Sequence, residues 1–534
     1  MGYIPRAITL IQLSPELLYL ILSPLDAYDL VRVRQTCKAL KGLIDNSEIL
    51  QYVIDLSYFQ MISMGPSEMD VPPAICRKRL RQYDAAWQRF EYKRKCTLPS
   101  MMLGRDYKFL GGVYGSVGED RIQFTRLPSA TDSNELYCWS HPVDTTTLAD
   151  FTFCAAQDLL AVVTYSSDPN HAYDIHLRSL VTNDVHTDAP QPILKALGKD
   201  IIDGEMIQPA GDLNVQIMGK YISMLMVNIV VSDGMAGDYL QMWDWTSKNG
   251  YQFILLFHIG IDDCSFIAED KFLVIDYHGT VEIYSVVDRS KPPQCTAKLA
   301  LPSLVNHSSY TNIFTGENMI PGSMFPYSRK SYQPICSFYP SMNDQLIAIH
   351  VAVSVTGTMD MNSEPDFHQY SFFIMRSAIL ELESLFATIH GQPTLNGPKL
   401  PWSTWGPQHT TCFRLQRDEV WQSSLYGFRV IEPINVPEVS REHRRLRIRD
   451  FNPHIARNYH AQDKSGWHGR LVEGEPINTI SCPFTEPLGS ALPYREVVSE
   501  EVFDVNHTLI DESRILLLKV SCNLYLIPSA YNEV

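Results

Sequence analysis

Leu13-Ser14-Pro15-Glu16-Leu17-Leu18-Tyr19-Leu20-Ile21-Leu22, then Pro24-Leu25-Asp26, then Asp29-Leu30-Val31-Arg32-Val33-Arg34-Gln35-Thr36-Cys37-Lys38-Ala39-Leu40, is the stretch around which the chain is organised. Three short amphipathic helices fit residues 13 to 58. Ser14 can cap the first, Pro15 suits its first turn, and Glu16 suits the positive end of its dipole. Leu17, Leu18, Leu20, Ile21 and Leu22 run almost all the way round it, so it needs apolar partners on more than one side. A second helix from Asp26–Asp29 onward presents Leu30, Val33, Cys37 and Leu40, spaced three, four and three. A third begins at Ser47, with Ile49, Leu50, Val53 and Leu56 along one face. So small a unit cannot bury all this aliphatic surface internally. It docks on the rest of the chain or keeps an apolar face for a partner.

The composition of the whole 534-residue chain is that of an ordinary globular protein, long enough for several domains. A formal charge of −16 argues against general affinity for nucleic acid or anionic membrane. No apolar run approaches the ~20 residues needed to cross a bilayer. Pro15 and Glu16 interrupt the N-terminal apolar run and no small-residue cleavage site follows, so no secretory leader is expected. Eleven scattered cysteines with no Cys-x-x-Cys pair point to a reduced, cytoplasmic or nuclear protein, not to a disulfide framework or zinc knuckle.

After a turn-rich patch at Met64–Pro73, Ala74 to Lys95 reads as a helix with Leu80, Tyr83, Trp87 and Phe90 along one stripe. Residues 77–95 hold eight Lys and Arg against two acids, which reads as a solvated basic face. This helix is expected to be a rigid spacer. From about residue 98, helical periodicity gives way to short β-prone runs between turns. The clearest unit is Asp262 to Asp288: Cys264–Ala268, a Glu269-Asp270 turn, Phe272–Tyr277, a His278-Gly279 turn, and Thr280–Ser285, with a fourth strand at Thr296–Leu301. Phe151–Val162 and Cys336–Ile349 read as copies of its opening, and looser copies begin near Asn214, Thr411 and Asn506. Leu240–Trp245 and Tyr251–Leu256 flank an Asn249-Gly250 hairpin turn. The spacing exceeds the ~40–45 residues of a usual propeller blade. Insertions at Ser303–Tyr332, Ser354–Phe367 and Gln392–His409 account for the excess. The fold class is α+β multidomain: a small all-α unit (residues 1–60), a helical linker (61–97) and a large all-β domain (98–534), a β-propeller of six or seven blades. Two β-sandwiches are the rival, and would lack a sequence-distant strand completing the first blade.

The N-terminal pattern resembles an F-box, the motif that binds a Skp-type adaptor and so joins a cullin-RING ubiquitin ligase. Leu13, Pro15, Glu16, Leu17, Ile21, Leu22, Leu25, Asp29, Leu30 and Cys37-Lys38 follow the family pattern in order. Ser14 stands where the family usually has its first proline, and no Trp follows the third helix. The resemblance implies that Leu13, Pro15, Glu16, Leu17, Ile21, Leu22, Leu25, Leu30, Val33 and Cys37 form the adaptor contact, some of them also holding the helices together. The whole chain resembles a large group of fungal F-box proteins through Leu50-Gln51-Tyr52 with Ile54 and Leu56, Ala85-Ala86-Trp87, Trp405-Gly406-Pro407, Asp450-Phe451-Asn452-Pro453 and Leu492–Glu496. This implies a substrate-receptor subunit with no catalytic group, no cofactor and no metal, recruiting an unidentified protein target through the β domain.

Other motifs point elsewhere only weakly. Gly111–Gly118 lacks the Lys-Ser/Thr of a phosphate loop and reads as strand turns. His454, His460 and His468 lack neighbouring Cys or paired acids. Arg441–Arg449, with five arginines, reads as a solvated loop or strand edge, with an acidic-ligand contact on the propeller rim as the alternative. A propeller scaffold or carbohydrate-active protein, with N-terminal helices serving only as a cap, is the alternative function; it requires acids or histidines clustered at one channel mouth.

Overall fold

A computed structural model describes residues 10–63, 71–98, 107–128, 136–199, 206–208, 212–231, 236–248, 250–257, 260–286, 291–316, 338–341, 344–355, 366–394, 397–415, 424–435, 443–454, 469–474, 483–519 and 524–528. Four helices come first: α1 (Pro15–Leu22), α2 (Ala27–Thr36), α3 (Lys38–Asp45) and α4 (Glu48–Tyr58). The expected second helix is therefore two. The backbone is extended at Cys37 (φ −157°, ψ 162°), which ends α2 and caps α3. The linker helix α5 spans Pro73–Arg89 and stops at Phe90, whose φ of 53° is left-handed.

From there the described residues are mainly β-structure. Six sheets of four or five strands and a wider six-stranded one follow one another, residues 107–142, 148–198, 206–257, 263–300, 308–415, 424–504 and 507–528. Within each, antiparallel neighbours alternate their side chains between two faces. His171–Ser179, for example, buries every second residue. Each sheet packs face to face on the next. Val215, Ile217 and Met224 of the third sheet share one core with Ala161, Ile175 and Leu177 of the second, and Leu516 and Leu518 of the last pack on Tyr114 of the first. The ring closes through Cys96–Leu98, which pairs antiparallel with Leu524–Pro528 and completes the last sheet. This sequence-distant strand excludes the paired-sandwich alternative; the domain is a β-propeller. Closure protects sheet edges that would otherwise pair with other chains.

The Asp262–Asp288 unit folds as read, with strands at Asp263–Ala268, Lys271–Ile275, Thr280–Ser285 and Gln294–Ala300; Asp288 lies outside the described residues. The copies at 151–162, Asn214 and Asn506 also begin sheets. Four readings are corrected. Phe338–Pro340 does not pair with the strand that follows it; it pairs with Met61–Ser63. The opening strand of that sheet is Ser308–Gly316, inside the stretch read as an insertion. Thr410–Leu415 is a closing strand. Two helices, α6 (Arg376–His390) and α7 (Trp402–His409), are inserted before it, and α7 lies within 392–409, which read as loop. Ile379, Leu382 and Phe386 of α6, with Trp402 and Trp405 of α7, are buried in the largest core cluster. Gly406 is required there: a Cβ would lie 2.2 Å from the Trp402 ring. Residues 64–70, Asn249, 317–337 and 356–365 lie outside the described residues.

Candidate functional site: an apolar helical face carried on the propeller

The N-terminal helices form a small unit with its own core. Leu22, Leu30, Ile44 and Leu50 fill it, with Tyr19, Leu25, Val33, Leu43, Val53 and Ile54 packed round them. The caps are partly as expected. Ser47 accepts from the Leu50 N–H, and Asp26 accepts from the Asp29 N–H at 2.8 Å. Ser14 is extended and Pro15 takes the first turn, but the Ser14 hydroxyl caps nothing. Glu16 is held below the usual carboxylate range, first by its own N–H at the helix start and then by the Ser14 hydroxyl. Arg34 ties α2 to α3 through Asp45 at 2.5 Å.

That core takes Leu22 of α1, with Tyr19 packed on it; Leu18 is buried as well, and the remaining apolar side chains of α1 are in water. Leu17 (48% exposed), Leu20 (70%) and Ile21 (43%) form an apolar surface, and Leu10, Ile11, Tyr28 and Val31 are exposed as well. Of the residues expected at the adaptor contact, Pro15, Glu16, Leu17 and Ile21 are exposed, and Leu13, Leu25, Val33 and Cys37 are half-buried. Leu22 and Leu30 are 2% and 0% exposed, so they build the unit and offer a partner no surface. Leu20 and Tyr28 were not singled out. The signal was present: once positions 18 and 22 are given to a core, positions 17, 20 and 21 are what an eight-residue helix has left.

Residues 15–53 match the F-box-like family model. No curated protein sequence matches the chain. Among solved structures, the β-propeller domain of Cps50 (Swd1) from Myceliophteria thermophila overlaps 82% of this chain and 99% of its own, at 7% identity and a TM-score of 0.35. The WD40 domain of SCAP from fission yeast overlaps 80% of this chain and 81% of its own, at 8% identity and a TM-score of 0.33. The assignment of a propeller rests on the sheet order and ring closure above.

The F-box-like domain is fixed to the propeller through α5. On one side, Asp55 of α4, 7% exposed, accepts from Arg77 (2.8 Å) and Arg81 (2.6 Å), while Arg77 also reaches Gln51 and Glu48. Two of the cations expected on a solvated face are thus spent on the domain in front. On the other side, Leu80, Tyr83 and Trp87 are buried with Ile431, Leu446, Ile448, Val497, Phe503, Ile515 and Leu517 of the last two sheets. Arg429 lies under them, 5.3 Å from the Tyr83 ring and 5.2 Å from the Trp87 ring, bonded to Asp84 (3.1 Å) and Asp450 (3.2 Å). Four of the five segments that carry the whole-chain resemblance meet at this seam. Tyr52 and Leu56 pack on it, Trp87 fills it, Asp450 and Arg495 pair beside it at 3.5 Å, and the Asn452 amide donates to the Tyr58 carbonyl. Trp405-Gly406-Pro407 lies apart, in α7.

The arginine run is not a solvated loop. His443–Asp450 is an internal strand, where Arg447 and Arg449 pair with Glu432, and Arg449 also with Glu496 at 3.3 Å. Arg470 adds to Glu496 at 2.9 Å. Arg445 is exposed, and Arg441 lies outside the described residues. Gly111 and Gly112, both with positive φ, form a hairpin turn between Tyr107–Leu110 and Val113–Val117. His454 packs on Tyr58; His460 and His468 lie outside the described residues. Among the described residues no group of three or more His, Cys, Asp or Glu is placed to hold a metal ion. No described helix is long and apolar enough to cross a membrane. Asp262 is the most perturbed propeller carboxyl outside the α5 seam. Burial pushes it up to about 6, the Ile313 N–H opposes this, and Asp263, Asp276 and Asp238 add to it. Those three neighbours are already engaged. Asp263 accepts from Thr315 and Asn214, Asp238 from the Ile261 N–H, and Asp276 from the His278 and Thr280 N–H groups. They tie sheet to sheet and close turns.

Proposed function

We propose that the chain is the substrate receptor of a Skp–cullin–F-box ubiquitin ligase in the cytoplasm or nucleus. The observation that carries this reading is the apolar surface of Leu17, Leu20 and Ile21 on a domain whose core is already filled without them. F-box domains generally bind Skp-type adaptors, and this surface has the chemistry for an apolar groove on such a partner. The propeller, fixed behind α5, presents a protein target to the ligase. Catalysis in that assembly is proximity supplied by the complex, and this chain contributes no reacting group. A helical cap on a propeller enzyme would instead bury its apolar face against its own propeller, and this face is in water. Titration of the purified full chain with a Skp-type adaptor tests the reading. A one-to-one complex that recruits the cullin supports it; a folded chain that binds no such adaptor overturns it.

A further inference from the structure

Between α5 and the propeller lies a turn, residues 510–514, that the adaptor reading does not use. Glu512 there is 1% exposed, and neither of its carboxylate oxygens has a hydrogen-bond partner. α5 reaches this turn: the Tyr83 hydroxyl donates to the Glu512 main-chain carbonyl. The charged groups nearby are committed elsewhere. Arg514 bonds Asp511 at 2.6 Å and the Pro128 carbonyl at 3.0 Å. Arg429 bonds Asp84, Asp450 and the Tyr83 hydroxyl. Arg495 faces Asp450. The Tyr426 hydroxyl, 5% exposed, is also without a partner, and Tyr339 stands close to it. A buried carboxylate with no side-chain donor and an acid at its side is strongly disfavoured, and the neutral acid much less so.

We propose that this seam is a proton-operated lock: Glu512 holds α5 on the propeller as a neutral acid, and its ionisation releases α5. Burial first, then Asp511, push the Glu512 carboxyl up to about 8, with Arg514 and then its own N–H opposing. Lifting α5 returns the carboxyl to water and to its ordinary value of 4.5. The folded value is the higher one, so the stabilisation is complete below 4.5 and is lost as pH rises through about 8. Because α5 grips Asp55, releasing it also removes one tie between the F-box-like domain and the propeller, while the pairing of Met61–Ser63 with Phe338–Pro340 remains.

The test is hydrogen exchange of residues 73–89 in the full chain from pH 5 to pH 9, corrected for intrinsic exchange, with no adaptor present. In the parent, the opening of α5 should grow by up to about tenfold per pH unit below pH 8 and then level off. In Glu512→Gln, neutral at every pH, α5 should open no more at pH 8 than at pH 6, while α6 behaves alike in both proteins. The same pH slope in both proteins, or a parent whose α5 opens equally at all pH values, overturns the lock. The second outcome is read from the parent alone, should the variant fail to fold. The result is independent of the adaptor reading.

Discussion

The division of α1 and α2 into an exposed apolar face, proposed to bind the adaptor, and a core makes a sharp prediction. In Leu17→Ala/Leu20→Ala/Ile21→Ala, the three side chains removed are 48%, 70% and 43% exposed. Fully burying an aliphatic side chain of this size is worth ~1.5–3 kcal/mol, so covering the area they leave in water is worth ~3 kcal/mol together. That is a loss of roughly 100-fold in adaptor affinity. Alanine is the best helix former, so the fold should change by less than ~1 kcal/mol. Leu30→Ala is the opposite case. Leu30 is 0% exposed in the four-residue heart of the domain, and a buried leucine truncated to alanine costs ~2–5 kcal/mol. It should loosen all four helices and weaken binding only through the lost fold. Isothermal titration with a Skp-type adaptor measures the first effect, and hydrogen exchange over residues 15–58 the second. A triple variant that binds at full strength would refute the division. So would a Leu30→Ala protein with native protection and selectively lost affinity.

Three other perturbations follow from single sites. Asp55→Asn leaves Arg77 and Arg81 without their shared acid and should loosen α4 from α5 by ~1–3 kcal/mol, seen as faster exchange in both helices with the propeller unchanged. Gly406→Ala drives a methyl into the Trp402 ring and should destabilise the chain by ~1–3 kcal/mol, measured as a lower melting temperature. His350, 2% exposed and bonded to Ser371, is pulled by burial from 6.5 to about 4. Its stabilisation is present above 6.5 and is lost as pH falls through 4, about 3 kcal/mol in all. His350→Gln should flatten the dependence of melting temperature on pH across that window.

What the sequence made legible was local. Start signals and three-four spacing place α1, α4 and α5 because caps and amphipathic stripes are written within a few residues of the elements they define. The 263–300 meander is equally local, since its turns are Glu269-Asp270 and His278-Gly279. The failures share a physical cause. Cys37 breaks α2 from α3 although no Gly or Pro marks it, because tertiary packing overrides a weak propensity. Phe338–Pro340 is strand-like, but its partner, Met61–Ser63, is nearly three hundred residues away. Arg447 and Arg449 look solvent-bound in the sequence, and only the positions of Glu432 and Glu496 show that they are paired inside a sheet.

The seam raises the same point at the level of the site. Tyr52, Trp87, Asp450 and Arg495 are weak signals where they stand in the chain, scattered over more than four hundred residues. They become one structure only because the ring closes. Pairing of Cys96–Leu98 with Leu524–Pro528 brings the start of the propeller against its end, and α5 immediately precedes the closing strand. The helix must therefore lie on the last two sheets, where Ile448 and Ile515 meet Trp87. The F-box-like domain, gripping α5 through Asp55, is carried to that same place. Its apolar face is thereby held at a fixed position on the propeller. A receptor needs such a fixed position if proximity is its whole contribution to catalysis, and loss of the proton from Glu512 would loosen the α5 seam that provides it.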